Sequence, residues 1–498
     1  MRSERRIPSL WVITGFLALG LIATGFADFS LAGHDPWQAL ARMGAGFLRP
    51  DFSAVDDIGR ALLMTVAFAI CGVAVGATAG LILSPFYYAK PIRFFCISVR
   101  SVHELFWALM LMQGLGIGPL TGVLAIALPY TGIFAKVFAE HLDETDPRPA
   151  RVLPPRVDAL SRFLFARAPL AMGSMWSYTL YRLECGLRSS AVLGFIGLPT
   201  LGFQLDSFFK QGNYGAASAV LICYVALIAS IRIWMRLKLA LLWLVGAITV
   251  LSLQSAPPMG QGALWRFLTS DIIPAPIRND RGLPALWDWL TNLTMDQILP
   301  GLWNTIIVGQ IALVLMGALA FVGFGLPIRR VTGRIGSTLG YGLLVVLRSL
   351  PEYMLAYLFL QIFGPSMLPA VLALSLHNGA IIAHLLSRDA AVLPLRADAP
   401  HGITLWGWEF APRLTGTFLA LCLYRWEIVL RETAVMGLLG IATLGFFVDA
   451  AIAELRVDRA LILLVACAAM TATVDIASTR LRRATRTRHT TDIRKSAC

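Results

Sequence analysis

The stretch LYRLECGLRSSAVLGFIGLPTLGFQLD, Leu180–Asp206, recurs further along the chain as LYRWEIVLRETAVMGLLGIATLGFFVD, Leu423–Asp449. Fifteen of the 27 positions are identical without a gap, far beyond what a shared apolar composition produces. A second pair occurs upstream in the same order. Arg100-Ser101 with Glu104, then VLA at Val123–Ala125, correspond to Arg348-Ser349 with Glu352, then VLA at Val371–Ala373. The chain therefore reads as a tandem duplication. Its first repeat covers 1–235 (core about 57–235), its second 236–482 (core about 297–482), and a basic tail covers 483–498.

The copies sit in a chain that bilayer must solvate. Of its 498 residues 57% are hydrophobic and only 14% charged, and the mean hydropathy of +0.70 lies outside the range of soluble globular proteins. A spanning helix needs roughly 20 mostly apolar residues. Such runs fall near Leu10–Phe29, Arg60–Leu83, Glu104–Leu115, Leu120–Ala139, Gly173–Leu198 and Ala216–Ile233. Six more fall near Leu237–Leu253, Leu302–Leu326, Leu343–Phe363, Leu368–Leu386, Thr415–Leu439 and Arg459–Thr479. The expected fold is all-α integral membrane, about twelve transmembrane helices in two parallel repeats of about six. The third run holds Glu104 and Gln113, is short before Gly114, and is expected to be tilted or partly re-entrant. The start, MRSERR ahead of Leu10–Phe26, resembles a signal peptide without a convincing small-residue cleavage site, so a retained helix is expected.

The net charge of +13 is carried in every second gap: Lys90, Arg93 and Arg100; Arg148 to Arg167; Arg232, Arg236 and Lys238; Arg329, Arg330 and Arg334; Arg388 and Arg396; Arg480 to Lys495. That is the positive-inside pattern and not a nucleic-acid surface, and it puts both termini in the cytoplasm. The opposite gaps, His34–Asp57 and Ser255–Pro300, are longer, mixed in charge and rich in Trp, Pro and Asp. An even number of spans per copy gives both copies one orientation and a pathway at the interface between them. The seven cysteines show no CxxC spacing and most sit in apolar runs, so neither disulfides nor a metal site is expected.

Ionisable side chains inside a span are costly and mark function by default. The fifth span of each copy carries three: Arg182, Glu184 and Arg188, and Arg425, Glu427 and Arg431, with Glu432 additional. Glu184 with Arg188 and Glu427 with Arg431 are four apart, on one helical face. Arg182 and Arg425 have no obvious partner on their own helix. Guanidinium groups facing a shared pathway would attract an oxyanion through bidentate geometry. Equally, all six can tie this helix to its neighbours, with Glu104 and Glu352 taking up the spare arginines, or can gate by exchanging pairs. The glycines that follow (Gly194, Gly197, Gly202; Gly437, Gly440, Gly445) permit close helix approach or a hinge. Of the seven histidines only His103, His377 and His384 lie near spans.

The inner segments Glu140–Pro169 and Ser387–Pro412 are longer than the other inner gaps and lie at equivalent places. Each has a short amphipathic stretch before its proline (Val157, Leu160, Phe163, Leu164; Ile403, Leu405, Trp406, Phe410), suited to docking a cytoplasmic partner or to lying on lipid headgroups.

At these residues the chain resembles the permease subunits of type I ATP-binding-cassette importers, and within them the phosphonate permease group. The likeness rests on R-S-x-x-E at the third span, Gly114–Leu128, the inner loop ending in proline, and LYRxE with its spaced glycines; it covers about 57–235 and 297–482. It implies a MetI-like permease fold, two cytoplasmic ATPase subunits, a periplasmic substrate-binding protein, a bacterial inner membrane and alternating access. It further implies coupling helices at Ala150–Phe163 and Leu393–Trp406, and ATPase-facing residues Arg151, Arg156, Asp158, Pro169, Arg396, Asp398, Ala399 and Pro412. The glycine of the family's loop falls on Arg156 and Ala399, and its Glu-Ala-Ala on Ala150–Val152 and Leu393–Leu395, which points to a partner specialised for this loop. No Walker loop occurs in the sequence, so ATP would be bound by the partner and no cofactor by this chain. Arg100 and Arg348 join Glu104 and Glu352 as supporting polar residues. The alternatives are another cargo in the same superfamily (ferric ion, thiamine, an amino acid), a twelve-span secondary transporter, or a membrane enzyme acting on lipid. The i,i+4 arginine beside each fifth-span glutamate tells against the second, and the scattered histidines against the third.

Overall fold

The computed structural model describes residues 8–30, 36–154, 156–257, 260 and 262–485; most of the basic tail lies outside them. Every regular element among the described residues is helical. Among the described residues five helices are long and apolar enough to cross a membrane: Ile58–Phe86, Pro119–Glu144, Gly282–Gly323, Met367–Val392 and Val457–Thr485. Four further pairs qualify only when taken together across a bend, and shorter apolar helices cover Ser9–Thr24, Tyr214–Ala229 and Leu237–Ser252.

The chain forms two compact units, Arg42–Ile273 and Met1–Ala41 with Pro274–Cys498. The leading helix of each half is thus packed outside its own half. Ser9–Thr24 lies on Leu299–Gly323, where Gly20 faces Val314, Gln310 donates to the Phe16 carbonyl (3.3 Å) and Phe16 meets Trp426 edge-on at 5.0 Å. In the other unit Ala240–Ser252 packs on Ile58–Leu83, and Arg60 donates to Gln254 (2.9 Å).

The bent pairs explain the charged motifs. Lys90–Ser101 meets Glu104–Leu115 at 95°, and Arg329–Ser349 meets Glu352–Phe363 at 96°. The third run, expected to be tilted or partly re-entrant, is the second arm of the first of these corners. The straight ninth span expected over Leu343–Phe363 is corrected: it breaks at Leu350-Pro351, where proline excludes the helical conformation of the residue before it. R-S-x-x-E is thus a corner motif, with the arginine in the last turn of one helix and the glutamate in the first turn of the next.

The LYRxE helices end in a second kind of corner. Phe163–Ile196 bends into Leu201–Lys210 by 49°, and Gly402–Leu439 into Leu444–Ala453 by 46°. Gly197 (φ +94°) and Gly440 (φ +84°) supply the left-handed turn. A Cβ on Gly194 would lie 2.1 Å from the Phe203 nitrogen, one on Gly202 1.8 Å from the Ala191 oxygen, and one on Gly437 2.0 Å from the Phe446 nitrogen. Here the motif glycines serve close backbone packing. Each corner is pinned from a neighbouring helix, since Thr65 Oγ1 accepts from Leu201 N–H and Thr305 Oγ1 from Leu444 N–H, both at 3.0 Å.

The inner loops differ from the expected coupling helices. In the first, Arg148–Val152 and Ala159–Arg162 are separate short helices, interrupted at Pro154. In the second, 393–401 is without helix, held open by Pro394 and Pro400, and helix begins at Gly402. From there on neither proline ends a surface helix. Pro169 and Pro412 lie in helices that run unbroken from Phe163 and Gly402 into the span, each after a π-turn in which Ala168 N–H bonds to Phe163 and Ala411 N–H to Trp406. The wider turn accommodates the missing proline N–H and its ring.

Candidate functional site

Each unit holds one polar cluster, built on its LYRxE helix. Counting from the shared VLA, Tyr130 stands where the second copy has Asn378; counting from LYRxE, Ser189 stands where it has Glu432. These positions join the motif arginine in both units, with different chemistry.

In Arg42–Ile273, Arg182 Nε donates to Tyr178 Oη (2.7 Å), one turn earlier, and the guanidinium lies 5.3–5.8 Å from the ring centres of Tyr178, Tyr181 and Tyr130. Such packing attracts a cation through the ring faces. Tyr130 Oη lies 3.4 Å from Ser189 Oγ, and Ser189 donates to the Glu104 carboxylate. His103 Nε2 stands 3.7 Å from the same carboxylate, and its Nδ1 caps the helix by accepting from Leu105 N–H. Arg188 donates to Cys185 Sγ (3.4 Å), in the field of Glu184 one turn away.

In the other unit Arg425 is buried and its Nη1 donates to Asn378 Oδ1 (3.0 Å), while Asn378 Nδ2 donates to Glu432 Oε2 (2.8 Å). Asn378 is fully buried, Glu432 7% exposed and Arg425 9%. A neutral amide thus bridges a buried cation and a buried anion. Its neighbour His377 places Nε2 3.6 Å from Glu352 and Nδ1 3.2 Å from the Leu347 carbonyl, at the Arg329–Ser349 corner. Both clusters therefore hold the corner glutamate beside a histidine, drawn from its own corner in one unit and from the facing helix in the other.

Of the residues read from sequence, Arg182 and Glu104 are drawn together in one unit through Tyr130 and Ser189, and Arg425 with Glu432 in the other. Glu427 and Arg431 are half-buried on the same helix, and Arg100 and Arg348 sit in the last turn before their corners. Sequence reading passed over Tyr130, Tyr178, Ser189 and Asn378. Tyr178 is legible as a ring four residues before an arginine, and Asn378 as a lone amide in an apolar run.

In the inner loops Asp158 Oδ2 caps a helix by accepting from Ser161 N–H (2.8 Å), Arg156 is exposed, and Arg396 pairs with Asp398 (3.6 Å) on the surface. Ala399 is half-buried, Pro169 and Pro412 are exposed, and Arg151 lies in a short helix with its side chain outside the described residues. The loops are anchored differently. Tyr88 donates to Asp143 (2.5 Å), whose other oxygen lies 3.6 Å from Arg167. In the second, Trp406 packs against Phe321 and Phe324, and Arg413 donates to the Pro394 carbonyl (2.9 Å).

Comparison with known proteins agrees with the resemblance drawn from the motifs. The chain is 25% identical over 435 residues to the phosphate-import permease protein PhnE of Mycolicibacterium smegmatis, covering 82% of this chain and 80% of that protein. It is 27% identical over 237 residues to the phosphite transport system permease protein PtxC of Stutzerimonas stutzeri, covering 45% of this chain and 85% of that protein. A cryptic phosphonate transport system permease protein of Escherichia coli, PhnE2, is 24% identical over 108 residues, covering 22% of this chain and 88% of that protein. No family model matches the chain, and no solved structure matches it.

Proposed function

We propose that this chain is the fused, twelve-span permease subunit of an ATP-binding-cassette importer for a phosphorus oxyanion such as phosphonate, phosphite or phosphate. The similarity to an import permease along 82% of the chain carries this reading. The alignment to PtxC takes up most of that protein and less than half of this one, as a half-length subunit would. Five long helices, four bent pairs and three shorter apolar helices supply the material for twelve spans in two repeats.

On this reading both termini lie in the cytoplasm of a bacterial inner membrane. Two separate ATPase subunits dock on the inner loops around Arg151–Pro169 and Arg396–Pro412, and a periplasmic binding protein delivers the anion. No cofactor is bound by the chain; ATP is hydrolysed by the partner, and its closure drives alternating access. Arg182 and Arg425, supported by Glu104 and Glu352 and by the Glu184–Arg188 and Glu427–Arg431 pairs, present positive charge to the passing oxyanion.

The test is uptake by Arg182→Ala combined with Arg425→Ala, beside co-purification of the ATPase through tagged permease. Lost uptake with the ATPase still bound is the expected result. Normal uptake overturns the anion path, and a tagged permease that brings down no ATPase overturns the importer reading.

A further inference from the structure

A groove of about 710 Å³ opens on the surface of the Arg42–Ile273 unit. One wall is the stripe Cys71, Ala74, Val75, Thr78, Ala79 and Ile82, the i, i+3, i+4, i+7, i+8, i+11 face of Ile58–Leu83. Leu120 and Val123 form a second wall, and Ile248 and Leu251 of the packed Ala240–Ser252 helix a third. The hydroxyl of Thr78 is spent on the Ala74 carbonyl (2.8 Å), so the surface presented is apolar. From Cys71 to Ile82 the helix rises about 16 Å, close to half of a hydrocarbon core roughly 30 Å thick.

At the matching place in the other unit, three of the small positions of this stripe carry larger side chains. Thr65 and Thr305, each accepting from the N–H at a LYRxE corner, fix the register between the two helices. In that register Cys71, Ala74 and Ala79 become Ile311, Val314 and Leu319. Val314 is moreover met by Gly20 of Ser9–Thr24, so closely that a Cβ there would lie 2.7 Å away. Protein fills in one unit what small residues leave open in the other.

We propose that this groove is a binding site for one phospholipid acyl chain, retained from the surrounding leaflet. Hydrocarbon, not water, surrounds the spans, and an apolar recess left empty forfeits dispersion contacts along its whole length. A slender chain one leaflet deep restores them.

The experiment uses the full-length protein in phosphatidylethanolamine–phosphatidylglycerol vesicles carrying a phospholipid with a diazirine on one acyl chain. After irradiation, adducts are mapped by peptide mass spectrometry. Adducts on 71–82 and 244–252 should exceed by several-fold those around Val465 and Ile476, exposed on Val457–Thr485. Ala74→Val with Ala79→Leu should lower groove adducts to that background. Equal labelling of the two surfaces in the unmodified protein overturns the proposal, as does groove labelling that survives the double substitution. Native mass spectrometry of the unmodified protein should show one phospholipid retained; lipid-free protein, or a second copy of the chain in its place, also overturns it.

Discussion

Replacing Asn378 tests the bridged charge pair most directly. Asn378→Leu keeps the bulk of a side chain that is fully buried and removes two interhelical hydrogen bonds at once, from Arg425 (3.0 Å) and to Glu432 (2.8 Å), besides one to the Leu374 carbonyl of its own helix (3.1 Å). Hydrogen bonds to charged groups contribute about 1.5–3 kcal/mol each in soluble proteins, and interhelical ones in membranes about 0.6–1.7 kcal/mol. Two bonds at the membrane value give about 2 kcal/mol. For a unit of this size that is a fall of roughly 4–8 °C in melting temperature. The assay is thermal unfolding of the detergent-solubilised protein, followed by tryptophan fluorescence. Ser375→Ala on the same helix, which removes only an internal bond to the Leu372 carbonyl, is the control and should shift little. Replacing Asn378, Arg425 and Glu432 together by Leu should restore stability, because an apolar set of similar volume needs no partners. An Asn378→Leu protein that melts with the unmodified one would refute the bridged charge pair. So would a triple variant less stable than the single.

Gly194→Ala and Gly202→Ala should abolish accumulation of a fluorescent fusion, since each new Cβ would strike backbone, whereas Gly173→Ala, with nothing within 4 Å, should be tolerated. Thr65→Val and Thr305→Val each leave a corner N–H without its acceptor and should cost about 1–3 kcal/mol by the same melting assay. Deleting the Ser9–Thr24 helix should loosen the unit containing Pro274–Cys498, read as faster proteolysis there with Arg42–Ile273 unaffected. The Tyr88 phenol is pushed up to about 12, first by its hydrogen bond to Asp143 and then by burial. The bond's stabilisation is therefore present below the ordinary phenol range and lost as pH rises through 12. In ultraviolet titration Asp143→Asn should return Tyr88 toward about 10; an unchanged titration would contradict the pairing.

Much of the fold was legible because the bilayer imposes a simple code. Apolar runs located the long helices, and the identity of LYRxE with its glycines marked the structural corners without saying that they were corners. R-S-x-x-E was read as a span start, yet it marks a bend near 95°, with Glu104 and Glu352 each standing beside a histidine just past the corner. Pro169 and Pro412 looked like the ends of the inner loops, since nothing in the sequence announces the π-turn that lets a helix run through them. The Arg182 and Arg425 clusters were half legible. Charged residues announce themselves inside a span, but their partners Tyr130, Ser189 and Asn378 become polar contacts only when helices far apart in sequence are packed together. The exchange of leading helices between the units was illegible for the same reason, because Ser9–Thr24 and Ala240–Ser252 are nearly uniformly apolar and name no partner.

The most direct test of the importer reading is uptake by proteoliposomes holding this chain with its ATPase, supplied with binding protein and a labelled phosphorus oxyanion. Accumulation that requires ATP and the ATPase, and that stops when either is withheld, is the predicted result. Uptake that proceeds on an ion gradient without the ATPase would contradict it.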